Sequence, residues 1–267
     1  MKYFAKLADM HHRRVLITGA GGGLGRIMAD TLAELGADLI LVDRSKTALE
    51  SLEEGLRSKW GVGTKIILCD LESERDRLSM IASVKDDGLE LNCLINNAAF
   101  VGASDLLGWS VSFEDQTLDT WRRAVEVNLT AGFHLSQAFT PSLRNSKGGN
   151  IINIASIYGE FGPDWRLYEG TTMANPAAYA ASKGGIVQLT HWLATTLAPD
   201  IRVNSISPGG IFRNQPAEFV RRYEDRVPMK RMATENDFRG SIAFLASDLS
   251  AYITGQVLRV DGGWSTW

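Results

Sequence analysis

Short, almost continuously apolar runs alternate along this chain with longer amphipathic segments. Runs of this length are typical of strands covered on both faces, and strands that alternate with helices form a parallel sheet. We therefore predict an α/β fold, in which a single domain contains a doubly wound, parallel seven-stranded sheet with helices on both faces. The predicted strands are 14–18, 37–42, 65–69, 92–96, 150–155, 201–206 and 256–260.

Predicted helices occupy the intervals between these strands. No internal repeat or low-complexity linker interrupts the series, so the sequence predicts one domain over residues 1–267. Residues 1–12 lack the apolar core and the cleavage site of a secretory signal, and are expected to form a ragged lead-in to the first strand. The predicted helices include 24–35, 117–143, 177–197 and 236–246.

Composition makes several classes of partner improbable. A formal net charge of −3 leaves no electrostatic footprint for nucleic acid, and no run approaches the roughly 18 apolar residues of a membrane span. Cys69 and Cys93 fall in predicted buried strands and are expected to be reduced thiols. The four histidines have no partners at metal-ligand spacing, so no metal site is expected. We accordingly expect a cytoplasmic protein that acts on a small molecule, with no membrane or nucleic-acid partner.

A glycine-rich turn follows the first predicted strand and opens the first predicted helix. Glycines at this point let the backbone approach a pyrophosphate, which then lies at the positive N-terminus of the helix. The turn therefore predicts a dinucleotide site, the alternative being a turn selected only for tight strand-to-helix packing. The residues concerned are Gly19, Gly22, Gly23, Leu24 and Gly25.

Asp43 follows the second predicted strand, twenty positions after Gly23. A carboxylate there can accept hydrogen bonds from the ribose hydroxyls of adenosine and would repel a 2′-phosphate. Arg44 comes next, and its guanidinium could instead hold such a phosphate. The carboxylate favours NAD over NADP as the cofactor.

Further motifs follow the glycine turn in a fixed order. They are Asn96-Asn97-Ala98-Ala99, Asn128, Ser156, Tyr179-Ala180-Ala181-Ser182-Lys183, Pro208-Gly209-Gly210-Ile211 and Asp261-Gly262-Gly263. Together they resemble the short-chain dehydrogenase/reductase family, and the resemblance covers the chain from about residue 14 to its C-terminus. It implies a Rossmann fold and an NAD(P)-linked oxidoreductase that interconverts a secondary alcohol and a carbonyl. The resemblance also implies cofactor-binding residues in addition to the glycine turn, Asp43 and Arg44. They are Asp70, Leu71, Asn97, Ala98, Ala99, Tyr179, Lys183, Pro208, Gly209 and Ile211.

Tyr179 and Lys183 are four positions apart and therefore share one face of a predicted helix. An ammonium beside a phenol favours the phenolate, so we expect Lys183 to lower the pKa of Tyr179 and Tyr179 to act as the acid and base. A partly buried structural tyrosine is the alternative. The resemblance implies that Lys183 also binds the nicotinamide ribose, that Ser156 holds the substrate oxygen, and that Asn128 anchors a water linked to Lys183.

Ser156 and Tyr179 are 23 positions apart, farther than in most of the family. Residues 157–175 are therefore predicted to be an insertion near the active site, whose aromatic and polar groups could contact a polyhydroxylated ligand. An ordinary surface excursion or an element of a subunit interface is the alternative. The candidate substrate residues in the insertion are Trp165, Arg166 and Tyr168.

Residues 209–235 resemble the segment that closes over substrate in this family. Arg213 stands where the family commonly has threonine, so one expected cofactor contact is lost. A guanidinium at this position could bind a phosphate or carboxylate, which makes Arg213 a fourth candidate substrate residue. Most other basic residues of 213–231 are expected to form the solvated face of a short helix.

These departures, with the closing Trp264-Ser265-Thr266-Trp267, are similar to the PtmA-like oxidoreductases of flagellin modification and surface-polysaccharide biosynthesis. That resemblance implies a sugar, sugar phosphate or nucleotide sugar as substrate. The resemblance to the wider family implies a homodimer or homotetramer. One alternative is a broader ketoreductase, such as a 3-oxoacyl carrier reductase or a gluconate 5-dehydrogenase-like enzyme. Another is a non-catalytic dinucleotide sensor, which would need only the glycine turn and Asp43.

Overall fold

Seven parallel strands form one sheet in the order β3-β2-β1-β4-β5-β6-β7. The computed structural model describes residues 2–101, 104 and 106–267. Its topology confirms the doubly wound α/β fold, and every strand end lies within two residues of its predicted position. The strands are β1 Arg14–Thr18, β2 Asp38–Asp43, β3 Thr64–Leu68, β4 Cys93–Asn96, β5 Gly149–Ile154, β6 Ile201–Pro208 and β7 Val257–Val260.

Alternate residues of the central strands point to opposite faces of the sheet and fill two apolar clusters. On β1, Leu16 belongs to one cluster and Ile17 to the other, and on β4 Leu94 and Ile95 are divided in the same way. All four side chains are fully buried. Helices therefore cover both faces of the sheet, as a parallel sheet requires.

The two edge strands are less buried than the sequence indicates. Every residue of β3 and β7 is half-buried or exposed, and Leu68 is 60% exposed. The prediction of continuous burial was wrong here, because an edge strand has a neighbouring strand on one side only. Cys69 lies just after β3 and Cys93 lies in β4, and both are buried and free, as expected.

Helix 177–197 is found with its predicted bounds, whereas residues 1–12 contain a short helix instead of a ragged lead-in. Helix 236–246 is shorter than predicted, because a 3-10 turn, Glu235–Phe238, forms its first part. Within the described part of the chain, no helix is long and apolar enough to cross a membrane. The helices are α1 Tyr3–Ala8, α2 Gly23–Glu34, α3 Lys46–Trp60, α4 Glu74–Lys85, α5 Leu118–Val125, α6 Ala131–Asn145, α7 Ala177–Leu197, α8 Ala217–Arg226 and α9 Arg239–Ala246.

The predicted helix 117–143 is interrupted by a π-helical turn, Glu126–Thr130, which separates α5 from α6. The side chain of Asn128 explains the interruption. Its Oδ1 accepts a hydrogen bond from the backbone N–H of Phe100 at 2.7 Å, and its Nδ2 donates to the carbonyl of Phe100 at 3.2 Å and to Ser182 Oγ at 3.1 Å. A single extra residue in one turn is a feature often found at functional sites. The π turn thus holds Asn128 against the start of α7.

Arg77 braces this turn from α4. Its side chain is buried, with 2% of the residue exposed. Its Nη2 donates to Glu126 Oε1 at 2.6 Å, its Nε donates to His134 Nδ1 at 3.2 Å, and its Nη1 donates to the carbonyl of Leu71. A buried guanidinium needs all of these acceptors, because each N–H left without one costs free energy.

We predict that Arg77→Met lowers the free energy of unfolding by about 3 kcal/mol, because it leaves Glu126, His134 and the Leu71 carbonyl without their shared donor. Urea denaturation followed by circular dichroism measures the change. Arg75→Met is the matched control, since Arg75 lies on the same helix with its side chain 92% exposed, and it should change stability by less than about 0.5 kcal/mol. Equal stability of the two variants would contradict the bracing role.

Candidate active site

A cavity of about 890 Å³ opens along the carboxyl ends of the strands. Its walls come from the turns after β1 and β2, the segments after β3 to β6, the start of α7 and part of α8. All parallel strands end at this edge, which is where open α/β sheets bind their ligands. The predicted cofactor and catalytic residues that line it are Gly19, Gly22, Gly23, Leu24, Gly25, Asp43, Arg44, Asp70, Leu71, Asn97, Ala98, Ala99, Ser156, Tyr179, Lys183, Pro208, Gly209 and Ile211.

The glycine turn is too crowded for side chains. Gly19 has a φ of +64°, and a Cβ on it would lie 2.9 Å from the Cα of Ala98. A Cβ on Gly25 would lie 2.1 Å from the carbonyl oxygen of Gly19. Glycine is therefore required at both positions, because the strand, the turn and the helix pack in direct backbone contact.

Helix α2 differs from α3 and α4 at its N-terminus. Ser45 and Ser73 cap α3 and α4 by accepting hydrogen bonds from the backbone, whereas Gly22 precedes α2 and has no side chain to offer. The first turn of α2 therefore faces the cavity without a side-chain cap. Such a terminus attracts an anion, and the bare glycine cradle fits the pyrophosphate of a dinucleotide.

Asp43 is fixed beside this turn by two backbone donors. Its Oδ2 accepts from the N–H of Gly21 at 2.9 Å and its Oδ1 accepts from the N–H of Ser45 at 3.0 Å. Asp43 and Arg44 both line the cavity, as does Asp70 at the end of the neighbouring strand. The acidic and basic groups that could distinguish a ribose from its 2′-phosphate thus lie at one end of the cavity.

Asn97 connects the glycine turn to β4. Its Nδ2 donates to the carbonyls of Thr18 and Gly19 at 2.9 and 3.1 Å, and its backbone N–H donates to Thr18 Oγ1 at 3.0 Å. The side-chain amide of Asn97 is therefore committed to holding the turn, while Ala98 and Ala99 contribute to the cavity wall.

Tyr179 and Lys183 project from the first turns of α7 toward Ser156 at the end of β5. Lys183 is 3% exposed, its Nζ donates to the carbonyl of Ile154 at 2.7 Å, and it lies 5.9 Å from the centre of the Tyr179 ring. Burial lowers the pKa of Lys183 to about 8. Asn128 and Lys183 also line a small cavity of about 10 Å³, close to the space that one water molecule needs.

The pKa of Tyr179 shifts in the direction opposite to our expectation. Burial raises this pKa above the usual value for tyrosine, and a hydrogen bond from Ser156 opposes the rise. The spacing of Lys183 predicts a lowered pKa for Tyr179, but it does not reveal that the phenol loses its contact with water, which raises this pKa. At neutral pH, Tyr179 is therefore protonated in this state and can donate a proton.

The segment after β6 is held by Tyr223 of α8, whose hydroxyl accepts a hydrogen bond from the N–H of Gly210 at 2.6 Å. Arg213 lies farther along, beside the first turn of α2. Its Nη2 is 3.1 Å from the position that a Cβ on Gly23 would take, and its Nε donates to Glu235 at 3.1 Å. Arg213 therefore lines the cavity at the end formed by the glycine turn.

The insertion 157–175 contributes an aromatic wall to the other end of the cavity. Tyr168 lines the cavity and packs against Phe219 of α8 with a ring separation of 5.3 Å. Arg166 instead pairs with Asp164 at 2.7 Å, and Trp165 is 56% exposed; neither residue lines the cavity. The structure thus brings Tyr168 and Arg213, but not Trp165 and Arg166, into the candidate site.

Sequence reasoning missed several cavity residues. Tyr158, two positions after Ser156, and Asn175, four positions before Tyr179, were part of the insertion but were not predicted to be substrate residues. Their proximity in sequence to two catalytic candidates was the available signal. Three others come from distant segments and had no such signal: Phe219, Tyr223 and Met232.

A family model described as enoyl-(acyl carrier protein) reductase matches residues 19–265. The chain belongs to the short-chain dehydrogenase/reductase family. It is therefore an NAD(P)-binding oxidoreductase that acts on alcohol or ketone groups.

Curated relatives match along almost the whole chain. Trans-4-hydroxycyclohexanecarboxylate dehydrogenase of Sinomonas cyclohexanicum is 33% identical over 254 residues, which cover 93% of this chain and 91% of the relative. A "probable galactose dehydrogenase" of Rhizobium meliloti (strain 1021) is 33% identical over 267 residues, 97% of each chain. Post-translational flagellin modification protein A of Campylobacter coli is 28% identical over 257 residues, 96% of this chain and 99% of the relative.

Solved structures of family members superpose closely. NAD⁺-bound xylitol dehydrogenase is 32% identical with a TM-score of 0.84, covering 95% of this chain and 99% of its own. A gluconate 5-dehydrogenase from Burkholderia cenocepacia J2315, in complex with NADP and tartrate, is 26% identical with a TM-score of 0.86, covering 99% and 100%. Relatives of this fold thus include complexes with either dinucleotide.

Because burial lowers the pKa of Lys183, the protein should become more stable as the pH rises through about 8. The unfolded chain holds this proton up to a pKa near 10.5, so between the two values the unfolded state binds more protons. From about pH 7.5 to about pH 9.5, the free energy of unfolding should gain about 2 kcal/mol from this group. Lys183→Met should lack this gain.

Urea denaturation of wild type and Lys183→Met at about pH 7.5 and about pH 9.5 measures how much free energy of unfolding each protein gains. The other titrating groups contribute equally to both proteins, so the difference between the two gains comes from Lys183. Lys46→Met is the control, because the side chain of Lys46 is 71% exposed and should titrate alike in both states. If wild type and Lys183→Met show the same pH dependence, the pKa of Lys183 is not lowered.

Proposed function

We propose that this protein is an NAD-dependent dehydrogenase/reductase that interconverts a secondary alcohol and a carbonyl on a sugar or sugar-phosphate-like substrate. The observation that carries the proposal is the convergence of Ser156, Tyr179 and Lys183 with the bare glycine cradle on one cavity. The match to a flagellin-modification relative supports a role in surface-polysaccharide or flagellin glycan biosynthesis, and the match to a "probable galactose dehydrogenase" supports a sugar substrate.

The mechanism follows from the positions of the side chains. The nicotinamide, when bound, supplies or accepts a hydride at the substrate carbon. The Ser156 hydroxyl would hold the substrate oxygen, and the Tyr179 phenol would donate its proton to that oxygen as the carbonyl is reduced. In the oxidative direction Tyr179 would accept the alcohol proton. The Lys183 ammonium, close to the Tyr179 ring, would favour the phenolate formed during reduction.

Tyr179→Phe should lower kcat by about 10³-fold or more, because it removes the proton donor while keeping the ring. The dissociation constant for NADH, measured by fluorescence titration, should stay within about threefold, since the glycine cradle and Asp43 are untouched. Tyr252→Phe is the matched control, because Tyr252 is fully exposed, and it should leave kcat unchanged. Retention of full activity by Tyr179→Phe would exclude the mechanism.

The preference for NAD rests on Asp43, whose carboxylate is held at the ribose end of the cavity by Gly21 and Ser45. Asp43→Ala should remove the repulsion of a 2′-phosphate and shift the ratio of the NADPH and NADH dissociation constants toward NADPH by about tenfold or more. Fluorescence titration with each dinucleotide measures the ratio.

Arg44→Ala is the control for this experiment, because Arg44 could bind the 2′-phosphate. Added to Asp43→Ala, it should reverse most of the gain in NADPH affinity. An unchanged ratio in Asp43→Ala would show that this carboxylate does not select the cofactor.

One alternative has specific support. The family model named for an acyl carrier protein reductase favours a ketoreductase of acyl thioesters, which turnover of acetoacetyl thioesters with NADPH would reveal. A non-catalytic dinucleotide sensor would bind NADH without turnover of any substrate. Free, phosphorylated and nucleotide-linked sugars should be screened as substrates, with NADH absorbance as the readout. Turnover of a sugar would separate the sugar enzyme from the ketoreductase and from the sensor.

We also propose that the protein is a cytoplasmic homodimer or homotetramer. Large apolar side chains remain on the outer surfaces of α5, α6 and α7, where a second copy would cover them. The buried, free thiols Cys69 and Cys93 support a reducing compartment. The exposed side chains on these helices are Leu118, Trp121, Phe133 and Trp192.

A further inference from the structure

One polar atom near the catalytic residues lacks a partner. In the described part of the chain, seven buried side-chain nitrogen or oxygen atoms accept or donate no hydrogen bond, and among them Asn175 Oδ1 is the one whose residue lines the large cavity. Asn175 is 6% exposed, so water at the surface does not satisfy this oxygen. Buried acceptors are normally paired, and an unpaired one in a binding cavity indicates where a ligand donates a hydrogen bond.

A pair of tyrosines adjoins Asn175. Tyr168 neighbours the Asn175 amide, and its hydroxyl lies 2.8 Å from the hydroxyl of Tyr158. The amide oxygen, Oδ1, has no hydrogen-bond partner. We call Tyr158, Tyr168 and Asn175 the polar wall.

The polar wall lies next to the reacting groups. Asn175 precedes Tyr179 by four positions and lies immediately before Pro176, the residue at which α7 begins. On the other side, the backbone N–H of Tyr158 donates to Ser156 Oγ at 3.2 Å. A substrate held by Ser156 and Tyr179 would therefore have its neighbouring atoms against this wall.

The chemistry of the wall restricts what it can bind. Burial raises the pKa of both Tyr158 and Tyr168, so the wall carries no charge at neutral pH. A carboxylate or phosphate has no hydrogen to donate to an amide oxygen. A hydroxyl group has one, and it needs no counter-ion.

We propose that Asn175 Oδ1 accepts a hydrogen bond from a substrate hydroxyl close to the reacting carbon, so that the enzyme selects hydroxylated alcohols and ketones over simple ones. This inference rests on the proposed function, since it assigns the substrate class of the same site. Asn175 would then be a specificity-determining residue, because a site built to bind a hydroxyl discriminates strongly against an analogue without it.

Three compounds with one carbon ring test the proposal: cyclohexanol, cis-1,2-cyclohexanediol and myo-inositol. Binding to the protein saturated with NADH is measured by calorimetry, and oxidation by NADH absorbance in the presence of NAD. We expect wild type to prefer the hydroxylated compounds by about tenfold or more in binding and in kcat/KM. Asn175→Leu, similar in size but without the acceptor, should lose this preference and leave the constants for cyclohexanol within about threefold.

Asn175→Asp is the matched variant, since its carboxylate keeps an oxygen acceptor and should retain a preference for the hydroxylated compounds. NADH affinity and thermal unfolding of both variants check that the fold and the cofactor site are intact. Equal binding of cyclohexanol and the hydroxylated compounds by wild type, an equal loss for all three in Asn175→Leu, or binding of none of them would overturn the inference.

The two readouts separate this inference from the proposed function. Oxidation of cyclohexanol with no preference for hydroxylated compounds would overturn the role of Asn175 and leave the oxidoreductase mechanism standing. Binding of the diol or inositol that depends on Asn175, without NADH formation from these or any screened sugar, would support the inference as a binding site and overturn the proposed reaction.

Discussion

Because all seven strands are parallel, every segment that follows a strand emerges at the same edge of the sheet. The strand register then sets the geometry of the site: β1 pairs with β4, β4 with β5, and β5 with β6. Thr18 Oγ1 secures the first of these junctions by accepting from the backbone N–H groups of Asn97 and Ala98. As a result, one cavity brings together the glycine turn, the hydroxyl of Ser156 and the start of α7, although they are far apart in sequence.

The catalytic end of the cavity conflicts with what a stable core prefers. Lys183 is buried, and its ammonium is held by the carbonyl of Ile154. Asn128 is buried as well, in a π turn that replaces regular helix. Both features cost free energy. Contacts from Arg77 and Phe100 hold the π turn, and the carbonyl of Ile154 holds Lys183. Strain and burial of this kind are expected where geometry serves chemistry rather than stability.

The order of elements and the residues at the strand ends that line the cavity could be predicted from sequence, because strand-end residues follow directly from topology. Features that depend on long-range contacts could not. The π turn arises from bonds between Asn128, Phe100 and Ser182, which no local pattern reveals. The raised pKa of Tyr179 results from burial, whereas the spacing to Lys183 indicated the opposite. The exposure of Trp165 likewise depends on how the insertion packs on α8.

Substrate selection depends on how charge is distributed along the cavity. Asp43, Arg44 and Arg213 lie around the glycine turn, whereas the polar wall beside Tyr179 is neutral. An anionic group at this wall would lose its hydration without gaining a cation, while a hydroxyl would exchange a bond to water for one to Asn175. The phosphate of a sugar phosphate would instead have to reach Arg213, which is paired with Glu235. For the sugar substrate that we propose, this arrangement favours a neutral polyol at the reacting end.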